Sequence, residues 1–277
     1  MSGHELSKQR VALGGVAETA LLTLNARAQE ARRPNPVLDD PLAIAVVDSI
    51  AFDFAKFGRP RQDTALRARA YDAQALAYLD QHPTATVVAL ADGLQTSFWR
   101  LQAARPDGQF RWLTVDLPNV IDLRNRLLPS SPRVLNCAQS ALDYSWMELV
   151  DPSAGVFITA EGLLMYLQPE QALGLITQCA KAFPGGQMLF DLPPAWIAKV
   201  KRSGIRTSRT YKSPPVPFRL SLKQAADLAN AVPGIRAVHN LRLPPGRGRM
   251  FNAALSIMYR KRFLAPLRPI FTLLEFG

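Results

Sequence analysis

Apolar positions recur every three or four residues in the first part of the chain. In residues 16–31 and again in residues 64–79 this spacing predicts helices that each bury one face. The prolines at positions 34 and 36 end the first helix, because proline interrupts helical hydrogen bonding, and Asp40-Pro41 begins another. We predict that residues 1–82 form a helical cap that belongs to the same domain as the rest of the chain.

From residue 86 onward, short apolar runs alternate with stretches of helical spacing. The predicted strands are 86–90, 110–115, 133–138, 156–160 and 187–191, and the predicted helices are 96–104, 120–127 and 169–183. Alternating strands and helices are typical of a mostly parallel, doubly wound α/β sheet. We therefore predict a Rossmann-like core over residues 83–277.

After Asp191 the regular alternation of predicted strands and helices ends. Residues 199–219 combine prolines with basic residues and predict a long loop that closes over a bound substrate. A helix over 221–231 and two strands, near 235–241 and 253–259, are expected to complete the sheet.

The loop after the first predicted strand indicates a nucleoside ligand. A dinucleotide site has glycines at the first, third and sixth loop positions, where this chain has Ala91, Gly93 and Thr96. Asp92 places an anion in the loop, which disfavours a pyrophosphate and suits the cationic groups of S-adenosylmethionine. Asp116 follows the next strand, where a carboxylate accepts ribose hydroxyls. We predict S-adenosylmethionine rather than NAD as the cofactor, and a ligand-free Rossmann-like core remains the alternative.

Acidic residues follow five predicted strands in series: Asp92, Asp116, Asp143, Glu161 and Asp191. Ligands of such sheets bind at the carboxyl ends of the strands, so these side chains are expected to line one crevice. Aspartate also favours loops and helix starts for local reasons, which explains each position singly but the series less well.

Bulk composition narrows the class of protein. Of 277 residues, 48% are apolar, enough for a full core. No apolar run approaches the length of a membrane span and the N-terminus lacks a signal-peptide pattern, so a soluble cytoplasmic protein is expected. The two cysteines and three histidines are scattered without zinc-binding spacing, and we predict no metal.

The positive charge is concentrated near the C-terminus. Residues 197–277 contain 16 Lys and Arg but 2 Asp and Glu. Such a region suits nucleic acid, an anionic membrane surface, an acidic carrier protein or an anionic small substrate, and a solvated basic face is an equal alternative. No recognisable nucleic-acid module accompanies it, so no nucleic-acid partner is expected.

Six short sequence segments resemble those of a known family. They occupy residues 18–24, 67–72, 94–100, 115–118, 140–143 and 161–167. Together and in this order they resemble the leucine carboxyl methyltransferase superfamily, in its bacterial branch of tetracenomycin-type polyketide O-methyltransferases. The resemblance implies a class I fold of seven strands and transfer of a methyl group from S-adenosylmethionine to a carboxyl or hydroxyl oxygen. The implied acceptor is a small, anionic aromatic or polyketide-like molecule, free or tethered to a carrier.

The resemblance also implies residue roles. Arg67 would bind the methionine carboxylate of the cofactor, Gly93 its methionine portion and Asp116 the ribose, while Glu161 would lie near the sulfonium. The turn at residues 141–143 would border the adenine. The full implied cofactor set is Arg67, Ala91, Gly93, Asp116, Leu117, Ala141, Leu142, Asp143 and Glu161.

Two positions depart from the family pattern, which usually has glycine at Ala91 and an acid at Gln95. If the backbone at Ala91 has a positive φ, its Cβ costs about 1–2 kcal/mol, which weakens cofactor binding without abolishing it. A degenerate methyltransferase fold that binds cofactor or regulates without turnover is therefore the alternative function. An ionised carboxylate acceptor needs no general base, whereas a phenol would benefit from one. Conceivable helpers are Tyr166, Tyr211 and His239.

Overall fold

The computed structural model of the chain describes residues 8–194, 204, 206 and 208–277. Its elements are β1 (Gln9–Arg10), α1 (Thr19–Ala31), α2 (Pro41–Ser49), β2 (Ile50–Ala51), α3 (Gln62–Leu79), β3 (Thr86–Leu90), α4 (Ser97–Ala104), β4 (Arg111–Asp116), α5 (Pro118–Leu127), β5 (Val134–Ala138), β6 (Val156–Ala160), α6 (Pro169–Ala182), β7 (Gln187–Leu192), α7 (Leu222–Ala226), α8 (Leu228–Ala231), β8 (Ile235–Asn240), α9 (Arg249–Arg260) and β9 (Ile270–Phe276).

A seven-stranded sheet forms the centre of the fold, in the order β5-β4-β3-β6-β7-β9-β8. Strands β5, β4, β3, β6 and β7 are parallel, and β9 pairs antiparallel with both β7 and β8. Strands β3 and β6 are buried along their whole length, as expected of a sheet covered by helices on both faces. The predicted doubly wound sheet is confirmed.

The strand order reverses beside β3. From β3 the chain proceeds through β4 to β5 on one side, then returns to place β6 on the other side. At such a switch point the loops that follow the two neighbouring strands diverge and leave a crevice. Ala91 follows β3 and Glu161 follows β6, so both residues lie at this crevice.

The N-terminal helices pack over the same edge of the sheet. Leu21 and Leu24 of α1 share one buried cluster with Leu94 of the loop after β3 and with Val120 and Leu123 of α5. Burial of this cluster holds α1 against the loop that begins at Ala91. The division into a cap over 1–82 and a core over 83–277 stays a prediction.

The prediction for the C-terminal part was wrong in one element. Residues 253–259, expected to be a strand, lie within helix α9, and the last strand is β9. Alanine, methionine and leucine are good helix formers, whereas β9 begins with Ile270, Phe271 and Thr272, which favour strands. The predicted helix over 221–231 divides at Asp227 into α7 and α8.

Residues 199–203, 205 and 207 of the predicted substrate-covering loop lie outside the described residues. Its described part includes Ser213 and Val216, which line the crevice at the switch point. Among the residues with described positions, no helix combines the length and the apolar character that crossing a membrane requires.

Candidate active site

A cavity of about 440 Å³ occupies the crevice at the carboxyl ends of β3, β4 and β6. This volume lies within the range of small-molecule and cofactor pockets. Eight of the nine residues of the implied cofactor set line it: Arg67, Ala91, Gly93, Asp116, Leu117, Ala141, Leu142 and Glu161. The ninth, Asp143, is exposed and outside the lining; it caps a helical turn by accepting a hydrogen bond from the backbone N–H of Ser145.

The loop after β3 approaches the cavity with a left-handed backbone. Gly93 has a φ of +56°, and a Cβ at this position would lie 2.9 Å from the Cβ of Ala20 in α1. Glycine is therefore required there by both backbone and packing. Ala91 has a φ of +51° and is the one non-glycine residue with positive φ in the described part of the chain. A left-handed backbone is strained for any residue with a Cβ, so Ala91 is strained at this position.

Asp116 at the end of β4 is held against this loop. Its Oδ2 accepts a hydrogen bond from the N–H of Gly93 at 2.7 Å, and its Oδ1 accepts one from the N–H of Leu117 at 2.7 Å. Burial raises the pKa of the Asp116 carboxyl, and these two backbone donors oppose that shift. Because each carboxylate oxygen has further lone pairs, the side chain retains acceptor capacity toward the cavity.

Asp92 does not present an uncompensated charge to the cavity, which corrects the sequence-based interpretation. Its Oδ2 lies 3.0 Å from Nη2 of Arg124, a buried residue of α5. Arg124 Nη1 also donates to the carbonyl oxygens of Gly93 at 2.7 Å and Gln95 at 3.2 Å. The ion pair thus balances the Asp92 charge and braces the loop. Arg124 is absent from the residues that the sequence predicts for the site, although its position four residues after buried Val120 places it on the apolar face of α5.

Arg67 of α3 meets two carboxylates at the switch point. Its Nε lies 2.9 Å from Oε1 of Glu161, and its Nη1 lies 3.1 Å from Oδ2 of Asp191. Asp191 also accepts hydrogen bonds from the Tyr71 hydroxyl at 2.9 Å and the Gly162 N–H at 2.8 Å. The sequence predicts Asp191 at the crevice without a role, and the structure places it in this cluster. One guanidinium and two carboxylates leave this cluster with one net negative charge.

Glu161 is a cluster member whose pKa burial shifts. Burial raises the pKa of its carboxyl, while the guanidinium of Arg67 acts in the opposite direction and Asp191 adds to the increase. A cationic ligand beside Glu161 would favour the ionised form. Arg69, two residues beyond Arg67, is exposed on another face of α3.

Gln95 holds the second oxygen of Glu161. Its Nε2 donates to Oε2 of Glu161 at 2.7 Å, and its Oε1 is buried without a hydrogen-bond partner among the described residues. A carboxylate at this position would face Glu161 at hydrogen-bonding distance with like charge. The amide removes that repulsion, and its Oε1 is buried rather than exposed to the cavity.

A buried ionic network supports the loop from behind. Asp40 of the α2 N-cap lies 3.2 Å from Nε of Arg27 and 2.8 Å from Nη1 of Arg100. Arg27 Nη2 also donates to the carbonyl oxygen of Leu94 at 2.7 Å. Burial acts to raise the pKa of Asp40, but the two arginines and the Thr96 hydroxyl outweigh it, and the pKa is lowered.

One of the three conceivable catalytic helpers reaches the cavity. Tyr166 lines it, and burial raises the pKa of its phenol. Tyr211 is buried against Phe57, at a ring distance of 4.8 Å, outside the cavity lining. His239 lies on β8 at the opposite edge of the sheet, where its Nε2 is 3.0 Å from Glu275. Of the three, Tyr166 is therefore the candidate that the cavity geometry favours.

The sheet order, the switch-point cavity and the acidic end of β4 define a class I S-adenosylmethionine-dependent methyltransferase. The fold is similar to a Thermobifida fusca protein of known crystal structure that was provisionally described as a methyltransferase. The TM-score is 0.55 at 16% sequence identity, over 92% of this chain and 94% of the other.

Sequence comparison identifies the family. Residues 20–180 match the family model of leucine carboxyl methyltransferase, and the chain belongs to this family. It is 31% identical to the tetracenomycin polyketide synthesis O-methyltransferase TcmP of Streptomyces glaucescens, over 82% of this chain and 83% of the relative. It is also 31% identical to the S-adenosyl-L-methionine-dependent methyltransferase dpfgK of Gibberella zeae, over 70% and 71% of the two chains. The predicted family and cofactor are thereby confirmed.

Proposed function

We propose that this methyltransferase methylates a carboxyl or hydroxyl oxygen of a small, anionic aromatic or polyketide-like molecule in the cytoplasm, with the acceptor free or tethered to a carrier. The observation that carries the proposal is a single cavity whose polar wall suits an adenosyl amino acid and whose remaining wall is apolar. The likeness to an O-methyltransferase of polyketide synthesis supports the acceptor class.

The residue roles form part of the proposal. Arg67 would bind the methionine carboxylate, Gly93 would allow close backbone approach, and Asp116 would accept the ribose hydroxyls. Leu117 and the turn at Ala141 and Leu142 would border the adenine. Ala91 would contribute backbone contact beside Gly93 and Glu161 the charge near the sulfonium. A role for Asp143 at the adenine would need a rearrangement of the turn that it caps.

Charge complementarity supports this fit. S-adenosylmethionine carries an ammonium, a carboxylate and a sulfonium, and therefore one net positive charge. The cluster of Arg67, Glu161 and Asp191 carries one net negative charge. Oppositely charged partners attract strongly where water is largely excluded. The demethylated cofactor product has no net charge, so the same cluster favours exchange of product for fresh cofactor.

When bound, S-adenosylmethionine supplies a methyl group on a sulfonium that an oxygen nucleophile displaces in line. The residues of this chain position the acceptor and exclude water, which is the main contribution that such a transfer requires. Apolar side chains at Val16, Met165 and Val216 line the cavity and suit an aromatic acceptor. Since burial raises the pKa of Tyr166, its phenol stays protonated at neutral pH and would donate a hydrogen bond to the acceptor.

A test uses purified protein, S-adenosylmethionine labelled on its methyl group, and pairs of aromatic acids and phenols that share one ring system. We expect labelled methyl ester or ether with at least one member, and transfer by the Arg67→Gln variant that is reduced at subsaturating cofactor. Cofactor binding without transfer to any member would favour the degenerate, non-catalytic alternative. Tight binding of NAD without binding of S-adenosylmethionine would overturn the proposal altogether.

A further inference from the structure

The C-terminal helix α9 contributes little to the core. No residue of α9 is buried, although the helix contains Met250, Phe251, Leu255, Ile257 and Met258. A surface helix normally turns its apolar stripe toward the core and its polar side chains outward. In α9 the half-buried side carries Phe251, Leu255 and Met258, yet Met250 and Ile257 remain exposed beside Arg249 and Arg260. Exposed apolar side chains next to basic ones are a feature of interaction surfaces.

Specific contacts fasten the inner side of α9. Asn252 exchanges two hydrogen bonds with the backbone of Gly246, each 2.8 Å long. The hydroxyl of Tyr259 accepts a hydrogen bond from the N–H of Leu243 at 3.1 Å, and the guanidinium of Arg268 lies 5.7 Å from the Tyr259 ring. These contacts fix the orientation of the helix, so the outward position of its other side is a determined feature of the fold.

The exposed side of α9 and the helical turn Arg262–Leu267 that follows it form one surface, which we call the basic apolar face. Met250 is 88% exposed, Ile257 52%, Phe263 76% and Leu267 43%. Exposed basic residues accompany these side chains. The face comprises the apolar residues Met250, Ile257, Phe263 and Leu267 and the basic residues Arg249, Arg260, Lys261 and Arg262.

The surrounding sequence has one sign of charge. Residues 228–274 contain eight Lys and Arg and no Asp or Glu. Packing of this face against the same face of a second copy would bring like charges together, which disfavours a symmetric dimer through it. The occupant that complements the face is therefore anionic and accepts projecting apolar side chains.

We propose that the basic apolar face binds peripherally to an anionic phospholipid surface. Interfacial helices that lie in the plane of a bilayer combine bulky apolar side chains with Lys and Arg that meet the anionic headgroups. Phe263 and Met250 are the most exposed apolar side chains of the face and are accessible for insertion between headgroups. The proposal does not depend on the methyl acceptor and leaves the active-site cavity free.

The test measures cosedimentation of the full chain with vesicles of phosphatidylcholine alone or of equimolar phosphatidylcholine and phosphatidylglycerol. We expect at least about tenfold tighter binding to the anionic vesicles, with the difference lost near 0.5 M salt. The Met250→Ser/Phe263→Ser variant should lose at least about tenfold of that binding. The Arg260→Ser/Lys261→Ser/Arg262→Ser variant should lose the preference for anionic vesicles.

Matched controls have the same chemistry elsewhere on the surface. Leu135→Ser/Leu149→Ser removes two apolar side chains that are 51% and 52% exposed, and Arg69→Ser/Arg111→Ser/Arg126→Ser removes three exposed charges. Both controls should bind vesicles like the wild type, and S-adenosylmethionine binding should report intact folding of all variants. No binding to anionic vesicles at low salt, or equal loss in variants and controls, would overturn the proposal. A wild-type dimer in sedimentation equilibrium that Met250→Ser/Phe263→Ser dissociates would also overturn it, because the face would then join two copies.

Discussion

Arg67 and Glu161 lie 94 positions apart in the chain and meet through a 2.9 Å contact between Nε and Oε1. The first comes from α3 of the N-terminal helices and the second follows β6 in the sheet. Their contact joins these two parts of the molecule at the cavity. Because Asp191 shares the same guanidinium, the pair also carries the charge asymmetry on which the proposed cofactor site depends.

The first prediction concerns Arg67, with Arg69 as the control on the same helix. Arg67→Gln should weaken S-adenosylmethionine binding by at least about tenfold, because charge-assisted hydrogen bonds contribute about 1.5–3 kcal/mol. Arg69→Gln should change the dissociation constant by less than about twofold, since this side chain is exposed away from the cavity. Isothermal titration calorimetry measures both. Equal effects of the two substitutions would contradict the assignment of Arg67 to the cofactor.

The second prediction concerns the pH dependence of cofactor binding. An ordinary glutamate has a pKa near 4.3. Burial raises the pKa of Glu161, so its carboxylate becomes protonated at a higher pH. As the pH falls from about 7 to about 4.5, S-adenosylmethionine affinity should fall, because the neutral acid no longer attracts the cationic cofactor.

The Glu161→Gln variant should bind more weakly at neutral pH and lose most of this pH dependence. Glu170→Gln, at an exposed position of α6, should retain the wild-type profile. Binding titrations at several pH values compare the three proteins. A profile that persists in Glu161→Gln would assign the titration to another group.

The third prediction concerns the strained backbone at Ala91. Relief of the positive φ at Ala91 should raise the free energy of unfolding by about 1–2 kcal/mol. The greater chain entropy of glycine in the unfolded state should lower it by about 0.5–1 kcal/mol. Ala91→Gly should therefore leave the free energy of unfolding unchanged or raise it by up to about 1 kcal/mol, and it should tighten cofactor binding.

Ala89→Gly provides the comparison, because Ala89 is buried within β3 and its φ is not positive. This substitution should destabilise the protein by about 1 kcal/mol, since glycine weakens a strand interior. Urea unfolding gives both values. A destabilisation by Ala91→Gly as large as that of Ala89→Gly would show that the Cβ of Ala91 is not strained.

The fourth prediction concerns the buried network around Asp40. Asp40→Asn should lower the free energy of unfolding at pH 7 by about 3–5 kcal/mol, because it leaves Arg27 and Arg100 with uncompensated charge. Asp48→Asn breaks an exposed pair with Arg32 and should cost less than about 1 kcal/mol.

The pH dependence of this effect has a definite sign. The pKa of Asp40 is lowered in the folded state, so its ionised form stabilises the fold above the unfolded pKa near 3.9, and this contribution is lost as the pH falls through the folded pKa. The difference between wild type and Asp40→Asn should therefore narrow in strongly acidic solution. Urea unfolding at several pH values measures it, and a constant difference would contradict the lowered pKa.

Local patterns predicted the core well and the C-terminal part poorly. Strands β3 and β6 stand out as short apolar runs, and their order with the intervening helices indicates the doubly wound sheet. The stretch that forms α9 has apolar residues at helical spacing, so the strand predicted over 253–259 overlooked a periodicity that the sequence contains. Strand β9 owes its position between β7 and β8 to pairing with strands distant in the chain, which no local pattern contains.

The sequence by itself determined the order of elements, the acids at successive strand ends and the motifs of the family, because each depends on residues close together in the chain. Tertiary structure alone decided which charges meet. It paired Asp92 with Arg124, joined Arg67 to Glu161 and Asp191, placed His239 at the far edge of the sheet, and left Met250 and Ile257 of α9 exposed. These outcomes depend on packing between distant segments, and the balance between burial and charge pairing is settled only where those segments meet.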